Sequence, residues 1–157
     1  MTVLSRVGPA EIDAILPLMQ EFYAIEHLPY DEQVARHALL QLWSDPTLGH
    51  AYLFEFAGAV AGYAVLTFGF SLKFRGRDAL VDELYVRERY RGQGLGSACL
   101  SQIEEVCRGE GVQAVHLEVD HVNTRAQQLY HNAGYQDHQR HLLTKWLASR
   151  DECLPDK

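Results

Sequence analysis

From Ile12 onward, apolar residues recur every three or four positions: Ile12, Ile15, Leu16, Met19, Phe22 and Tyr23. That period lays one stripe along a helix. Gly8-Pro9 ahead of it suits a first helical turn, and Pro17 should kink the helix or mark its true start. "HLPYDEQ" interrupts the stripe, and a second helix is expected over about 31–43. After the turn-like "SDPTLG" the period shortens. Residues 52–56 and 60–68 read as strands joined by "AGA", a hairpin. Residues 2–7 are a short β-prone start, and "GFSLKFRGRDA" reads as a polar loop. "LVDELYV" (80–86) is a further strand. Leu95, Cys99, Ile103 and Val106 then share a helix face, and that helix stops near Gly109 and Gly111. "AVHLEV" (114–119) is strand again, and Asn123 caps a short helix that Gly134 ends. Two short strands are expected around 135–138 and 141–146, followed by a frayed tail.

The pattern therefore predicts a mixed α/β sheet with helices on both faces. An antiparallel hairpin precedes a strand–turn–helix–strand unit, whose two strands should be parallel with a right-handed crossover. The chain has 157 residues, 47% of them hydrophobic. That suits one domain with its own core, and no internal linker divides it.

Composition narrows the chemistry. The net charge is −7, from 14 basic and 21 acidic residues, which speaks against nucleic acid and suits a cationic small partner. The cysteines, Cys99, Cys107 and Cys153, are odd in number and lack CxxC spacing, so neither a disulfide framework nor a zinc site is expected. The histidines form no cluster at ligand spacing, and no metal is expected. No apolar run reaches the ~18 residues of a membrane span, and no secretory pattern opens the chain. The expectation is a cytoplasmic protein.

"RGQGLGS" (91–97) lies between a strand and a helix. Glycines there leave backbone N–H groups bare at a helix start, where an anion is favoured. A Walker loop would need Gly-Lys-Ser/Thr, but Gly96 is followed by Ser97 and Ala98. The dinucleotide pattern G-x-G-x-x-G fails by one residue, at Ser97, although Asp120 near the end of the next strand keeps that reading open. R-x-x-G-x-G fits as written, as Arg91, Gly94 and Gly96.

That motif resembles motif A of the GNAT superfamily of N-acetyltransferases. The resemblance covers most of residues 78–147 and includes "ELYV" before the turn. It also includes N-x-x-A-x-x-L-Y-x-x-x-G-Y at Asn123, Ala126, Leu129, Tyr130, Gly134 and Tyr135. It looks most like the diamine and polyamine acetyltransferases and their bacterial relatives. It implies a GNAT fold: a mostly antiparallel sheet with one splayed parallel strand pair. It implies acetyl-CoA as co-substrate, with the backbone of Leu84, Tyr85 and Val86 beside the pantetheine arm. The amides of Gly92, Gln93, Gly94, Leu95, Gly96 and Ser97 would lie under the pyrophosphate, with Arg91 as its counter-charge. Asn123 would hydrogen-bond the pantetheine, and its neighbours Arg125 and Ala126 would line the same wall. Tyr130 matches the residue that protonates the leaving thiolate.

An ammonium acceptor needs a base. Asp82, Glu83 and Glu118 are the candidates. Alternation along the strand sends Asp82 and Glu83 to opposite faces. Asp82 then shares a face with Leu84 and Val86 and is preferred, although a bulge would reverse the choice. The first helices (about 9–44) are the acceptor side in such proteins. Phe22, Tyr23 and Tyr30 offer aromatic walls there and Glu26 offers charge, a mix that suits a cationic amine. Lys73, Arg75 and Arg77 could meet the 3′-phosphate of coenzyme A, an acidic group on the acceptor, or nothing. The expected activity is direct acetyl transfer to a small primary amine. The alternatives are a non-catalytic acyl-CoA sensor and an enzyme for protein N-termini or lysines. A homodimer is compatible with the family but no residue demands it.

Overall fold

The computed structural model describes residues 2–148. Its strands are β1 (Thr2–Arg6), β2 (Gly49–Phe56), β3 (Ala59–Ser71), β4 (Gly76–Val86) and β5 (Ala114–Leu117). They form one sheet in the order β1-β2-β3-β4-β5. Every neighbour is antiparallel except β4 and β5, which are parallel. The helices are α1 (Ile12–Ile25), α2 (Glu32–Ser44), α3 (Leu95–Gly109) and α4 (Thr124–Asn132).

The sheet is covered on both faces, as the pattern requires. On one face Ile15, Leu18 and Met19 of α1 and Leu39 of α2 pack with Leu53, Tyr63 and Tyr85. On the other, Cys99, Ile103 and Cys107 of α3 pack with Phe54, Leu66 and Val81. Burial pushes the thiols of Cys99 and Cys107 up to about 12 and about 11, so both stay protonated core groups. Cys153 lies outside the described residues.

The helix starts follow local chemistry. A 3₁₀ turn (Pro9–Glu11) leads into α1, which continues through Pro17. Asp31 caps α2 by accepting from the Val34 N–H at 3.0 Å, and Asn123 caps α4 by accepting from the Ala126 N–H at 3.1 Å. The β2–β3 turn places Ala57 and Gly58 at φ 51° and 77°, the geometry of a tight hairpin.

Three expectations need correcting. The expected loop 69–79 is mostly strand, because β3 and β4 pair out to Ser71 and Gly76 and leave only 72–75 as the turn. Strand β5 stops at Leu117 rather than at 119. The strands expected at 135–138 and 141–146 do not form. Pairing needs a neighbouring strand, and among the described residues β5 is paired on one side only, to β4.

Gly62 sits where β3 crosses β4. A Cβ there would stand 2.1 Å from the Tyr85 carbonyl oxygen, which is backbone and cannot rotate away. Gly62→Ala should therefore part the two strands. The expected cost is about 3 kcal/mol, read as a lowered urea midpoint.

Candidate active site

Strands β4 and β5 pair only from Asp78↔Ala114 to Val81↔Leu117. Beyond that, β4 runs on to Val86 paired to β3 but not to β5. The opening leads into a cavity of about 340 Å³ whose walls come from α1, β4, the glycine turn, α3 and α4. Of the residues the sequence singled out, Leu84, Tyr85, Val86, Arg91, Gly92, Gly94, Leu95, Gly96 and Ser97 line it on one side. Asn123, Arg125, Ala126 and Tyr130 line it from α4, and Phe22 and Glu26 from α1. Gln93 is not in the wall; its side-chain amide donates to the Arg89 carbonyl at 3.5 Å.

The turn has the geometry of an anion cradle. Gly92 and Gly94 adopt φ 75° and 80°, and Gly94 is the N-cap of α3 with no side-chain cap. The first cap-type bond is Ala98 N–H to the Gly94 carbonyl at 3.1 Å. The N–H groups of Leu95, Gly96 and Ser97 come before it and are the unpaired donors every helix start carries. A Cβ on Gly94 would meet no protein atom within 4 Å and would stand in open space. Arg91 is only partly free. Its Nε donates to the Val86 carbonyl at 2.8 Å, and its guanidinium lies 5.8 Å from the centre of the Tyr85 ring. That carbonyl is therefore already taken within the chain.

Tyr130 lines the cavity from α4. Burial and the nearby Glu26 charge push its phenol above the usual tyrosine value, so it keeps its proton. Tyr135 packs edge-on against it at 6.2 Å.

The carboxylates are not placed as simple alternation implies. On β3, Val65 pairs with Glu83 and its neighbour Leu66 pairs with Val81. Asp82 is the extra residue of a β-bulge. The bulge turns Glu83 to the α1–α2 side with Tyr85, while Leu84 packs with the α3 core. Asp82 is exposed, yet close enough to Tyr23, Tyr63 and Glu83 to act on their ionisation. Both carboxylates thus serve one side of the sheet, and Asp82 does not share a face with Leu84. Glu118 is apart from them, lining a larger cavity of about 810 Å³ along β5.

The other acceptor-side residues divide. Tyr23 faces Glu83, not the cavity, and donates to Glu83 Oε2 at 3.3 Å. Tyr30 packs on Tyr23 at 5.8 Å and donates to the Leu16 carbonyl at 3.2 Å. Arg77 pairs with Glu110 at 3.3 Å, at the end of β4 away from the glycine turn. Two features escaped the sequence reading. Arg87 holds Glu21 with two nitrogens at 2.9 and 3.1 Å, and Tyr85 donates to the same carboxylate at 3.0 Å, tying α1 to the end of β4. Arg87 holds Glu21 below the usual carboxylate value. The second is Tyr63, whose hydroxyl donates to Glu83 Oε1 at 2.8 Å. Sequence carries no signal for it beyond a tyrosine in an otherwise apolar strand.

A strand, a bare-amide turn and a helix opening on a splayed strand pair, with a protonated tyrosine across the gap, define an acyl-coenzyme A-type acyltransferase fold. The comparisons make the class specific. Residues 12–135 match the model of the acetyltransferase (GNAT) family, and the chain belongs to it. It is 30% identical over 132 residues to a thialysine N-epsilon-acetyltransferase of Bos taurus, covering 78% of this chain and 77% of that one. It is 28% identical over 163 residues to the Mus musculus protein of the same name, covering 96% and 92%. Among solved structures, an integron cassette protein from the mobile metagenome of Cole Harbour Salt Marsh superposes with a TM-score of 0.82 at 31% identity. That match covers 93% of this chain and 91% of that one. The chain is an N-acetyltransferase.

Proposed function

We propose that the protein transfers an acetyl group from acetyl-CoA to the primary amine of a small cationic acceptor, by direct attack in a ternary complex. The observation that carries this reading is the cavity at the glycine turn. It brings Gly92, Gly94 and the first residues of α3, the stretch of β4 beyond its last β5 pair, Tyr130 and Glu26 to one volume. Acetyl-CoA would supply the acetyl thioester. The open space at Gly94 and the unpaired α3 amides fit its pyrophosphate. The backbone of Leu84, on the edge of β4 beyond the last β5 pair, fits its extended arm.

The chain's residues then have separate tasks. Glu26 and the Phe22 ring draw the ammonium to the cavity from α1. A carboxylate at the bulge takes one proton from it, through water where needed, and frees the nitrogen lone pair. The N–C bond forms as the C–S bond breaks, and Tyr130 gives its proton to the departing sulfur. The nitrogen's second surplus proton restores Tyr130 through solvent. Neither described cysteine can act as an acyl carrier, since Cys99 and Cys107 are buried in the α3 core. This supports direct transfer over a covalent enzyme intermediate.

The relatives are named for acetylating the ε-amine of thialysine, which supports a flexible, terminal primary amine as the acceptor. The test is thiol release from acetyl-CoA with thialysine, lysine, diamines, polyamines and short peptides. Release with one or more of the small amines and none with peptides is expected. Release with peptides alone would replace this reading with a protein acetyltransferase.

A further inference from the structure

Two negative side chains sit side by side at the bulge, and neither forms an ion pair with a cation among the described residues. Glu83 is largely buried and forms no ion pair among the described residues. Its two oxygens accept from neutral hydroxyls, Oε1 from Tyr63 at 2.8 Å and Oε2 from Tyr23 at 3.3 Å. Asp82 has no hydrogen-bond or ion-pair partner among the described residues. Burying a carboxylate without a counter-charge is unfavourable, and a chain that needed only packing could place phenylalanine at both tyrosine positions. The two hydroxyls instead converge on Glu83 from different elements, Tyr63 from β3 and Tyr23 from α1. Helix α1 is also the one that presents Phe22 and Glu26 to the cavity.

Resting on the acyl-transfer reading above, we propose that Tyr63 and Tyr23 clamp Glu83 as a fixed anion beside Asp82. Glu83 is then a positioning residue. It lies outside the cavity wall and acts at a distance, its charge drawing the acceptor's ammonium toward the bulge, where the exposed Asp82 takes the proton. The missing protein cation is supplied by the acceptor. The clamp also ties the acceptor-side helix to the strand that carries the base, so acceptor position and base position are set together.

The electrostatics agree with the geometry. Burial pushes the Glu83 carboxyl above its usual value, the Tyr63 and Tyr23 hydrogen bonds pull it back down, and the Asp82 charge pushes it up. The titratable groups that face Glu83 are Tyr23 from α1, Tyr63 from β3 and Asp82 on its own strand, with Tyr30 behind Tyr23. Glu21, on α1 opposite the end of β4, is closed off by Arg87 and Tyr85. Removing one hydroxyl therefore lets Glu83 take up a proton at higher pH, and the site loses an anion there.

The experiment is the pH dependence of kcat/KM for the acceptor in the wild type, Tyr63→Phe, Glu83→Gln and the double variant, with Tyr23→Phe as a second probe should Tyr63→Phe fold poorly. Tyr63→Phe should move the acid limb up by about one pH unit, the worth of one hydrogen bond to a charged group. It should raise the acceptor KM several-fold and leave the acetyl-CoA KM in place. In the Glu83→Gln background the same tyrosine change should move nothing further. A profile that stays put, or one that shifts equally without Glu83, overturns the clamp. A reading free of turnover is the ¹³C titration of the Glu83 carboxyl by NMR, assigned by its loss in Glu83→Gln. Its midpoint should rise in Tyr63→Phe, and an unchanged midpoint overturns the proposal. A wild type that titrates as expected but releases no thiol with any amine would count against the acyl-transfer reading and leave the clamp standing.

Discussion

Replacing Tyr130 with phenylalanine should lower kcat by about 10²- to 10³-fold while leaving the affinity for acetyl-CoA within a few-fold of the wild type. A general acid placed at the leaving group contributes on that order. The phenylalanine ring keeps the wall that Tyr130 provides and its edge-on packing with Tyr135, so the loss isolates the hydroxyl. The wild-type phenol is held above its usual value by burial and by Glu26, so the acid form persists well past neutral pH. The basic limb of the kcat profile should therefore not reflect Tyr130 below about pH 10. Stopped-flow thiol release and a separate binding isotherm measure the two quantities. A variant that keeps full kcat would show that solvent protonates the sulfur and that Tyr130 is only a wall.

The part of this site that sequence displayed is the part built from backbone conformation. Gly92 and Gly94 are legible because only glycine adopts their positive φ without strain, and Asn123 because a helix cap has a chemical requirement. Those needs are local, so residue type and spacing record them. The carboxylate pair was legible in identity but not in direction. A bulge is a relation between two strands, and the register change from Val65 to Leu66 leaves no mark in "VDELYV" itself. Strict alternation then points Asp82 the wrong way. Tyr63 was invisible for the same reason, since its task exists only once β3 and β4 are paired. The segments 135–138 and 141–146 fail in the opposite sense. Their residues favour strands, but a strand requires a partner that local propensity does not supply.

Gly94→Val should weaken acetyl-CoA binding by about 100-fold, with its main effect in the acetyl-CoA KM. Two costs combine. A β-branched residue at φ 80° is strained by about 1–3 kcal/mol, and relief of that strain turns the amides of the turn away from a common centre. The new methyl groups would also occupy the open space over the first turn of α3, where no protein atom lies within 4 Å of a Cβ. That space is where the bare amides can meet a phosphate. Gly111→Val separates the two costs. It has nearly the same backbone, φ 74°, and equally open surroundings, but it lies beyond the far end of α3 and outside the cavity wall. Both variants should lose stability, and only Gly94→Val should lose the co-substrate. If the two weaken acetyl-CoA equally, strain transmitted through α3 explains the effect and the turn is not the phosphate site. If Gly94→Val alone binds poorly, the glycine is there to keep a volume empty for an anion.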